Sequence, residues 1–372
     1  MIRVLHVTPD DKFFDEVFSE WERDERIQNE AVIIAKNNDY QFRYIHTTDA
    51  VQILWNSEMV RTKLESNDYD VLFFHSLPSS YYKYFKFIPN DRIVIWWAWG
   101  SDIYGSYDNA FLSMKLYKTK TKKFVYFHKL KYNLKVKIYN CIHRNAINKL
   151  KTLVLERIDY FQPVEKIEYE MMAKHKAFKA KEFYYHHSVN QYEYCPTMPS
   201  NGNILLGNSA TPTNNHLDCL NIIKKKKKQG QRIIIPVNYG DSLYREWLLN
   251  KVSGIDIYVI KNYLPRDEYF KIIDTCSYAV FGTIRQQAMG NIRYALSKGI
   301  KVFLYKESVA FASLKSLGFV VYAIEDINAE SFTTPLTKEE IMQNVEASAN
   351  EYHRRDNIYE ECIDEIINMK KK

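Results

Sequence analysis

Short apolar runs, each closed by a polar turn and followed by a helical repeat, recur along this 372-residue chain. The C-terminal half shows the pattern most cleanly. Runs at Ile204–Leu206, Arg232–Val237, Ile255–Ile260, Tyr278–Phe281, Lys301–Tyr305 and Phe319–Ala323 read as strands. Between them, Asn215–Lys228, Leu243–Val252, Asp267–Cys276, Asn291–Lys298 and Val309–Leu317 carry helical spacing. This alternation, at roughly 25 residues per unit, predicts βα units and a parallel sheet. Gly230, Gly254, Gly299 and Gly318 each end a predicted helix before the next strand, as C-terminal glycines do.

The N-terminal half alternates likewise, with longer insertions. Its strand signals fall at Arg3–Val7, Ala31–Ala35, Phe42–His46, Val71–His75, Ile93–Trp97 and Leu153–Phe161. Turn formers concentrate in Cys195–Gly202 and mark a hinge there. The expected organisation is an α/β chain with a doubly wound, Rossmann-like domain over 1–195, a second over 203–335, and a helical tail over 336–372. The first domain carries a basic, aromatic insertion at 109–155.

That insertion changes the picture. It contains twelve Lys or Arg and no acidic residue, so the remainder of a chain with net charge +7 is net acidic. Phe111, Tyr117, Phe124, Tyr126, Phe127, Tyr132 and Tyr139 lie among the charges. Basic residues mixed with aromatics suit an anionic membrane surface. Nucleic acid is the competing partner for the same patch, and a solvated helix face the bland one. No run of 18 or more apolar residues exists, and the N-terminus reads directly as a strand, without signal-peptide features. Five scattered cysteines, with no C-x-x-C pair, fit buried thiols in a reducing compartment. The expected location is cytoplasmic, peripheral on the inner face of the plasma membrane.

Candidate chemistry gathers at predicted strand ends, the edge at which open α/β sheets bind ligands. Trp96, Trp97 and Trp99 run into a Gly-Ser-Asp turn at Asp102. Flat aromatics beside a carboxylate suit a sugar, although a buried aromatic strand end with a turn-forming Asp explains them equally. Asp102 and Asp11 are the candidate general bases, Asp102 preferred because its tryptophans would desolvate it. His75 ends another strand and is a further candidate, with a structural role as its alternative. In the second half, Asn208 and Ser209 follow a strand and precede a helix, a weak phosphate signal that ordinary capping also explains. Thr283–Ile292 is stronger. There Arg285 offers a fork for phosphate, while Gln286, Gln287 and Asn291 offer neutral hydrogen bonds. Asp68-Tyr-Asp70 precedes its strand and reads as a turn, not as a metal-binding D-x-D pair. Lys224–Lys228 reads as a solvated helix end.

Four motifs, Trp99-Gly-Ser-Asp-Ile-Tyr104, Leu206-Gly-Asn-Ser209, Ile235-Pro-Val-Asn-Tyr-Gly240 and Arg285-Gln-Gln-Ala-Met-Gly290, occur in an order that resembles the bacterial TDP-N-acetylfucosamine:lipid II N-acetylfucosaminyltransferases (4-alpha-L-fucosyltransferases, glycosyltransferase family 56). Leu264–Leu304 is similar to that family over most of its length, as is His6-Val7 with Asp11 after it. The chain departs from it in its basic insertion and in Ala288, where the family pattern has Gly. The resemblance implies a GT-B enzyme, with two Rossmann-like domains facing a cleft. It would move a fucosamine-like deoxy-amino sugar from a nucleotide diphosphate, TDP in the family, to a polyprenyl-diphosphate-linked saccharide of the cell envelope. The donor would meet Asn208, Ser209, Tyr239, Arg285, Gln286, Gln287 and Asn291; the acceptor would meet Trp99 and His75. No metal or other cofactor is expected, because Arg285 and a helix N-terminus can offset the leaving charge. The competing readings are an inactive nucleotide-sugar-binding protein and a nucleic-acid-binding protein using the basic patch.

Overall fold

A computed structural model describes the chain except residues 12, 106–109, 186–201, 253–255 and 371–372. The expected hinge at Cys195 therefore lies outside the described residues. The chain divides into two compact units. The first comprises Met1–Ser113, Asn140–Val189 and His353–Lys372; the second comprises Met114–Tyr139 and Asn190–Tyr352. The basic insertion is thus shared, with Met114–Tyr139 belonging to the second unit.

The first unit contains β1 (Ile2–Thr8), β2 (Ile27–Ile34), β3 (Val51–Leu54), β4 (Val71–His75), β5 (Ile93–Trp97), a two-stranded ribbon of β6 (Tyr104–Gly105) and β7 (Leu112–Ser113), then β8 (Tyr160–Gln162) and β9 (Lys181–Glu182). Seven of these form one parallel sheet in the order β3-β2-β1-β4-β5-β8-β9. Its core joins Val17, Trp21, Phe73, Trp97, Tyr160 and Phe183 to Tyr359, Ile363 and Ile366 from the C-terminal helix. That helix is a single element, Lys338–Lys370. Its last part is tied down by Arg26 to Glu360 (2.9 Å), Tyr359 to Asp24 (2.8 Å) and Lys370 to Asp70 (2.7 Å). Asp70 also accepts from the backbone of Arg3 at the amino edge of the sheet, so the D-x-D pair is structural.

The second unit is a six-stranded parallel sheet of β10 (Asn203–Leu206), β11 (Ile233–Pro236), β12 (Ile257–Ile260), β13 (Cys276–Phe281), β14 (Lys301–Leu304) and β15 (Tyr322–Ala323). The order is β12-β11-β10-β13-β14-β15. The basic segment enters this unit as the helix Thr119–Ile142. Asp218 caps its first turn, accepting from the backbone of Lys120 (2.8 Å) and Thr121 (3.1 Å) and matching negative charge to the helix N-terminus. Phe124 then packs on Trp247 (4.6 Å) and Tyr244 (5.1 Å) in the core.

Two strand expectations give way. Phe42–His46 is not a strand, because the Asp10 carboxylate accepts from the backbone of Arg43 (2.7 Å), Tyr44 (3.0 Å) and Ile45 (3.1 Å). Those N–H groups are unavailable to a ladder, and Val51–Leu54 pairs with β2 instead. Leu153–Phe161 divides into the end of a helix, Arg144–Arg157, and the short β8. Cys141 is exposed, whereas Cys219, Cys276 and Cys362 are buried.

Candidate functional site

Both sheets reverse their strand order once, and such a reversal opens a crevice at the carboxyl ends of the two diverging strands. In the second unit the reversal separates β10 from β13, so the loops 207–215 and 282–288 flank it. Close approach of these loops requires Gly282. A Cβ there would stand 2.5 Å from both the Asn214 carbonyl oxygen and the Cys219 Sγ.

A network of neutral amides and hydroxyls joins the loops. Thr213 Oγ1 donates to Gln287 Oε1 at 2.5 Å, and Gln287 Nε2 reaches Asn208 Oδ1 at 3.5 Å. Asn208 Nδ2 donates to the Tyr239 hydroxyl at 3.0 Å. Burial pushes that phenol above its usual pKa, so it stays protonated at neutral pH. Asn214 donates to the Ser209 carbonyl at 3.0 Å, and Asn215 to the Gly282 carbonyl at 2.7 Å. The structure therefore brings Asn208, Ser209, Tyr239 and Gln287 together. Arg285 is half-buried in the same loop, with Nη1 donating to the Gln286 carbonyl at 2.9 Å. Asn291 lies on the following helix and accepts from the Tyr269 hydroxyl at 2.9 Å.

The most telling atoms are those left over. Gln286 is 6% exposed, yet among the described residues its Oε1 has no hydrogen-bond partner; neither has the fully buried Thr283 Oγ1. A buried acceptor left unmade costs about 1–3 kcal/mol, a cost that binding a donor-bearing ligand would remove. Ala288 adds strain to the loop, with φ 65° and ψ 17° in the left-handed region that a glycine would occupy freely. Sequence reasoning missed Thr213, Asn214 and Asn215. Their signal was present in the run Pro212-Thr-Asn-Asn215 between strand and helix, which reads locally as capping.

In the first unit the reversal lies between β1 and β4. Asp11 follows β1, half-buried, and its Oδ1 accepts from the Phe13 backbone at 2.8 Å. After β4, Ser76 takes φ 66°, a strained conformation for a residue with a side chain, and its N–H donates to the Trp97 carbonyl at 2.8 Å. Trp99 stacks on Phe13 at 4.9 Å with the rings 6° from parallel.

Asp102 sits differently from the expected base. It accepts from the backbone of Leu77 (3.0 Å) and Trp99 (3.0 Å) and from the Trp96 indole (2.9 Å). Burial pushes its pKa up, as the tryptophan argument anticipates, and these three donors pull the other way. What its carboxylate does here is pin the loops after β4 and β5 together.

His75 is buried, 3% exposed, and its Nε2 meets His6 Nδ1 at 2.8 Å. His6 Nε2 in turn meets Asn29 Oδ1 at 2.9 Å. An amide oxygen only accepts, so His6 donates through Nε2 and accepts at Nδ1, which puts the His75 proton on Nε2. Burial drives His6 down to about 4 and His75 well below its ordinary value, so both are neutral at pH 7. The ring of His75 is thus part of the sheet's interior. Among the described residues no group of three His, Cys, Asp or Glu could hold a metal ion, and no helix is long and apolar enough to cross a membrane.

Two Rossmann-like units of this kind are the architecture of the GT-B class of glycosyltransferase, and solved structures of that class share the fold. HepE from Anabaena, in complex with UDP-glucose, matches with a TM-score of 0.58 at 10% identity, over 99% of this chain and 100% of that one. An alpha-glucosyltransferase in complex with UDP matches at 0.53 and 10% identity, over 99% and 100%. An Escherichia coli structure described as trehalose-6-phosphate bound with UDP-2-fluoro glucose matches at 0.57 and 11%, over 100% and 99%. The family is defined more closely by sequence. Residues 124–335, more than half of the chain, match the model of the 4-alpha-L-fucosyltransferases, glycosyl transferase group 56, and the chain belongs to that family. It is a glycosyltransferase.

Proposed function

We propose that this enzyme transfers a fucosamine-like deoxy-amino sugar from a nucleotide diphosphate to a lipid-linked saccharide in bacterial cell-envelope polysaccharide synthesis. The observation that carries the donor half is the second unit's edge. Arg285, the Thr213–Gln287–Asn208–Tyr239 network and the unpartnered Gln286 oxygen converge at one sheet reversal. An arginine fork answers a diphosphate, and neutral amides answer sugar or base hydroxyl and N–H groups. Departure of the nucleoside diphosphate needs its growing charge offset, which Arg285 would supply. On the first unit's edge, Asp11 is the carboxylate best suited to take the acceptor hydroxyl's proton, since Asp102 is engaged in holding the turn.

The helix Thr119–Ile142 supports the lipid half of this reading. Phe127, Leu134 and Ile138 recur on one helical face and are 72%, 55% and 52% exposed. Lys123, Lys135 and Lys137 are close to them along the helix. Apolar residues with flanking lysines suit the headgroup region of an anionic bilayer.

Thermal stabilisation by TDP, UDP, GDP and CMP and their sugars tests the donor site. A selective diphosphate response, about 2.7 kcal/mol at a ligand concentration of one hundred times Kd, is expected for the wild type and is expected to be lost in Arg285→Ala. A response that Arg285→Ala retains in full would remove the donor from this loop.

A further inference from the structure

We infer that Gln286 is the residue by which the second unit selects its nucleotide sugar, taking a hydroxyl or N–H of that ligand on its amide oxygen. The assignment rests on the glycosyl-transfer reading above and adds a selecting group to it. Among the described residues, four buried side-chain atoms without a hydrogen-bond partner lie in loops at the carboxyl edge of the second sheet. They are Asn238 Oδ1 after β11, Thr283 Oγ1 and Gln286 Oε1 after β13, and Ser308 Oγ after β14. Backbone bonds join these loops. Ala210 N–H donates to the Tyr239 carbonyl at 2.7 Å, and Val309 N–H to the Ile284 carbonyl at 2.8 Å. Buried polar groups are ordinarily paired, so bare ones gathered at a sheet reversal mark a place where a ligand completes the set.

Gln286 stands apart from the other three. A hydroxyl rotates and donates or accepts as its surroundings require, whereas an amide oxygen only accepts. Asn238 is half-buried, while Gln286 is 6% exposed. The contrast with the adjacent glutamine is sharper. Gln287 spends its amide within the protein, Oε1 accepting from Thr213 Oγ1 at 2.5 Å and Nε2 reaching Asn208 Oδ1 at 3.5 Å. Gln286 has its backbone braced, its carbonyl accepting from Arg285 Nη1 at 2.9 Å, while its amide oxygen stays bare. One glutamine builds the loop, and the other is left for what binds there.

The chemistry of the ligand follows from the bare atom. Phosphate oxygens accept and do not donate, so the diphosphate that suits Arg285 cannot satisfy the neighbouring amide oxygen. The parts of a nucleotide sugar on either side of its diphosphate, nucleoside and sugar, carry the hydroxyl and N–H groups that can. A site with a buried acceptor discriminates strongly against an analogue that lacks the matching hydrogen, because the acceptor is then left unpaired.

Calorimetric titration of wild type, Gln286→Met and Gln287→Met tests this, with TDP, UDP, UDP-glucose and UDP-N-acetylglucosamine as probes and thermal unfolding without ligand as the control. Methionine keeps the reach of glutamine and removes the acceptor. Gln286→Met is expected to lose about tenfold in affinity for a probe that wild type binds. Its unliganded unfolding temperature is expected to stay equal or rise, since no bare acceptor remains buried. Gln287→Met is expected to lower that temperature, because the Thr213 hydroxyl loses its partner. A loss confined to the sugar-bearing probes assigns Gln286 to the transferred sugar, and a loss shared by TDP and UDP assigns it to the nucleoside; either supports the selecting role. Unchanged affinity in Gln286→Met for every probe that wild type binds overturns that role alone. So does an unliganded Gln286→Met that melts earlier than wild type, which makes the amide part of the loop's own framework. A wild type that binds none of the probes defeats the nucleotide-sugar reading of this edge as well.

Discussion

The two sheets of this molecule share the order of their first six strands and one reversal point, yet the loops at those reversals are built from opposite chemistry. In the first unit the reversal is floored by imidazoles and lined by aromatics and carboxylates. In the second it is lined by asparagines, glutamines, hydroxyls and an arginine. In folds of this kind the scaffold fixes where a ligand binds and the loops decide which ligand; on the proposed function those are the loops after β1, β4, β10 and β13. On the proposed function, an edge of aromatics and carboxylates favours an uncharged saccharide, and an edge of amides around an arginine favours a diphosphate.

The comparison is broken most severely at the loop contact of the second unit. Gly282→Ala places a methyl group 2.5 Å from backbone and sulfur, and is expected to destabilise that unit by about 2–3 kcal/mol. Five of the six tryptophans lie in the first unit and only Trp247 in the second, so denaturation followed by fluorescence in single-tryptophan variants separates the two. A first unit that loses as much as the second would show that the damage is not local.

Acid distinguishes the units next. A buried neutral imidazole with a depressed pKa contributes stability that is complete above the unfolded value of 6.5 and is lost as pH falls, because the unfolded chain takes up the proton first. For His6, folded near 4, the loss at pH 5 is about 2 kcal/mol, and His75 adds to it in the first unit. The second unit has His216, lowered to about 3 by burial, in the same window. Glu168 of the first unit, pushed up to about 8 by burial, works the other way and gains stability as pH falls. The imidazoles are therefore isolated in Glu168→Gln, where two against one are expected to make the first unit unfold at the higher pH. Equal acid midpoints, read by tryptophan fluorescence, would contradict the neutral His6–His75 pair.

The smallest effect is a gain. Ala288→Gly removes the left-handed strain at the start of the helix Met289–Ser297 and is expected to raise the second unit's stability by about 0.5 kcal/mol, after the entropy a glycine adds to the unfolded chain. A loss in chemical denaturation would show that the alanine methyl packs usefully.

The second sheet was legible in the sequence because its strands are short, predominantly apolar and separated by helices of ordinary length. The first was less so, for identifiable reasons. Gln41-Phe-Arg-Tyr-Ile45 alternates like a strand, but a carboxylate thirty-odd residues earlier claims its N–H groups. Leu153-Val-Leu155 is an apolar run short enough to suit either structure, and the helix that contains it shows only over a longer window. The site divides the same way. Arg285, Gln286 and Gln287 stood out by type at a strand end. Asp102 stood out equally, and only its three donors reveal how its carboxylate is used. Phe13 gave no signal, since nothing local says which of two adjacent phenylalanines faces outward.

The C-terminal helix carries a consequence for biosynthesis. Tyr359, Cys362, Ile363 and Ile366 complete the core around Trp21 and Phe73, so the first unit stays short of one wall until those residues have left the ribosome. Residues up to Tyr352 suffice for the second unit. The half that is translated first is therefore the half that closes last, and a growing chain must keep its aromatic-rich N-terminal sheet from aggregating until the final helix arrives.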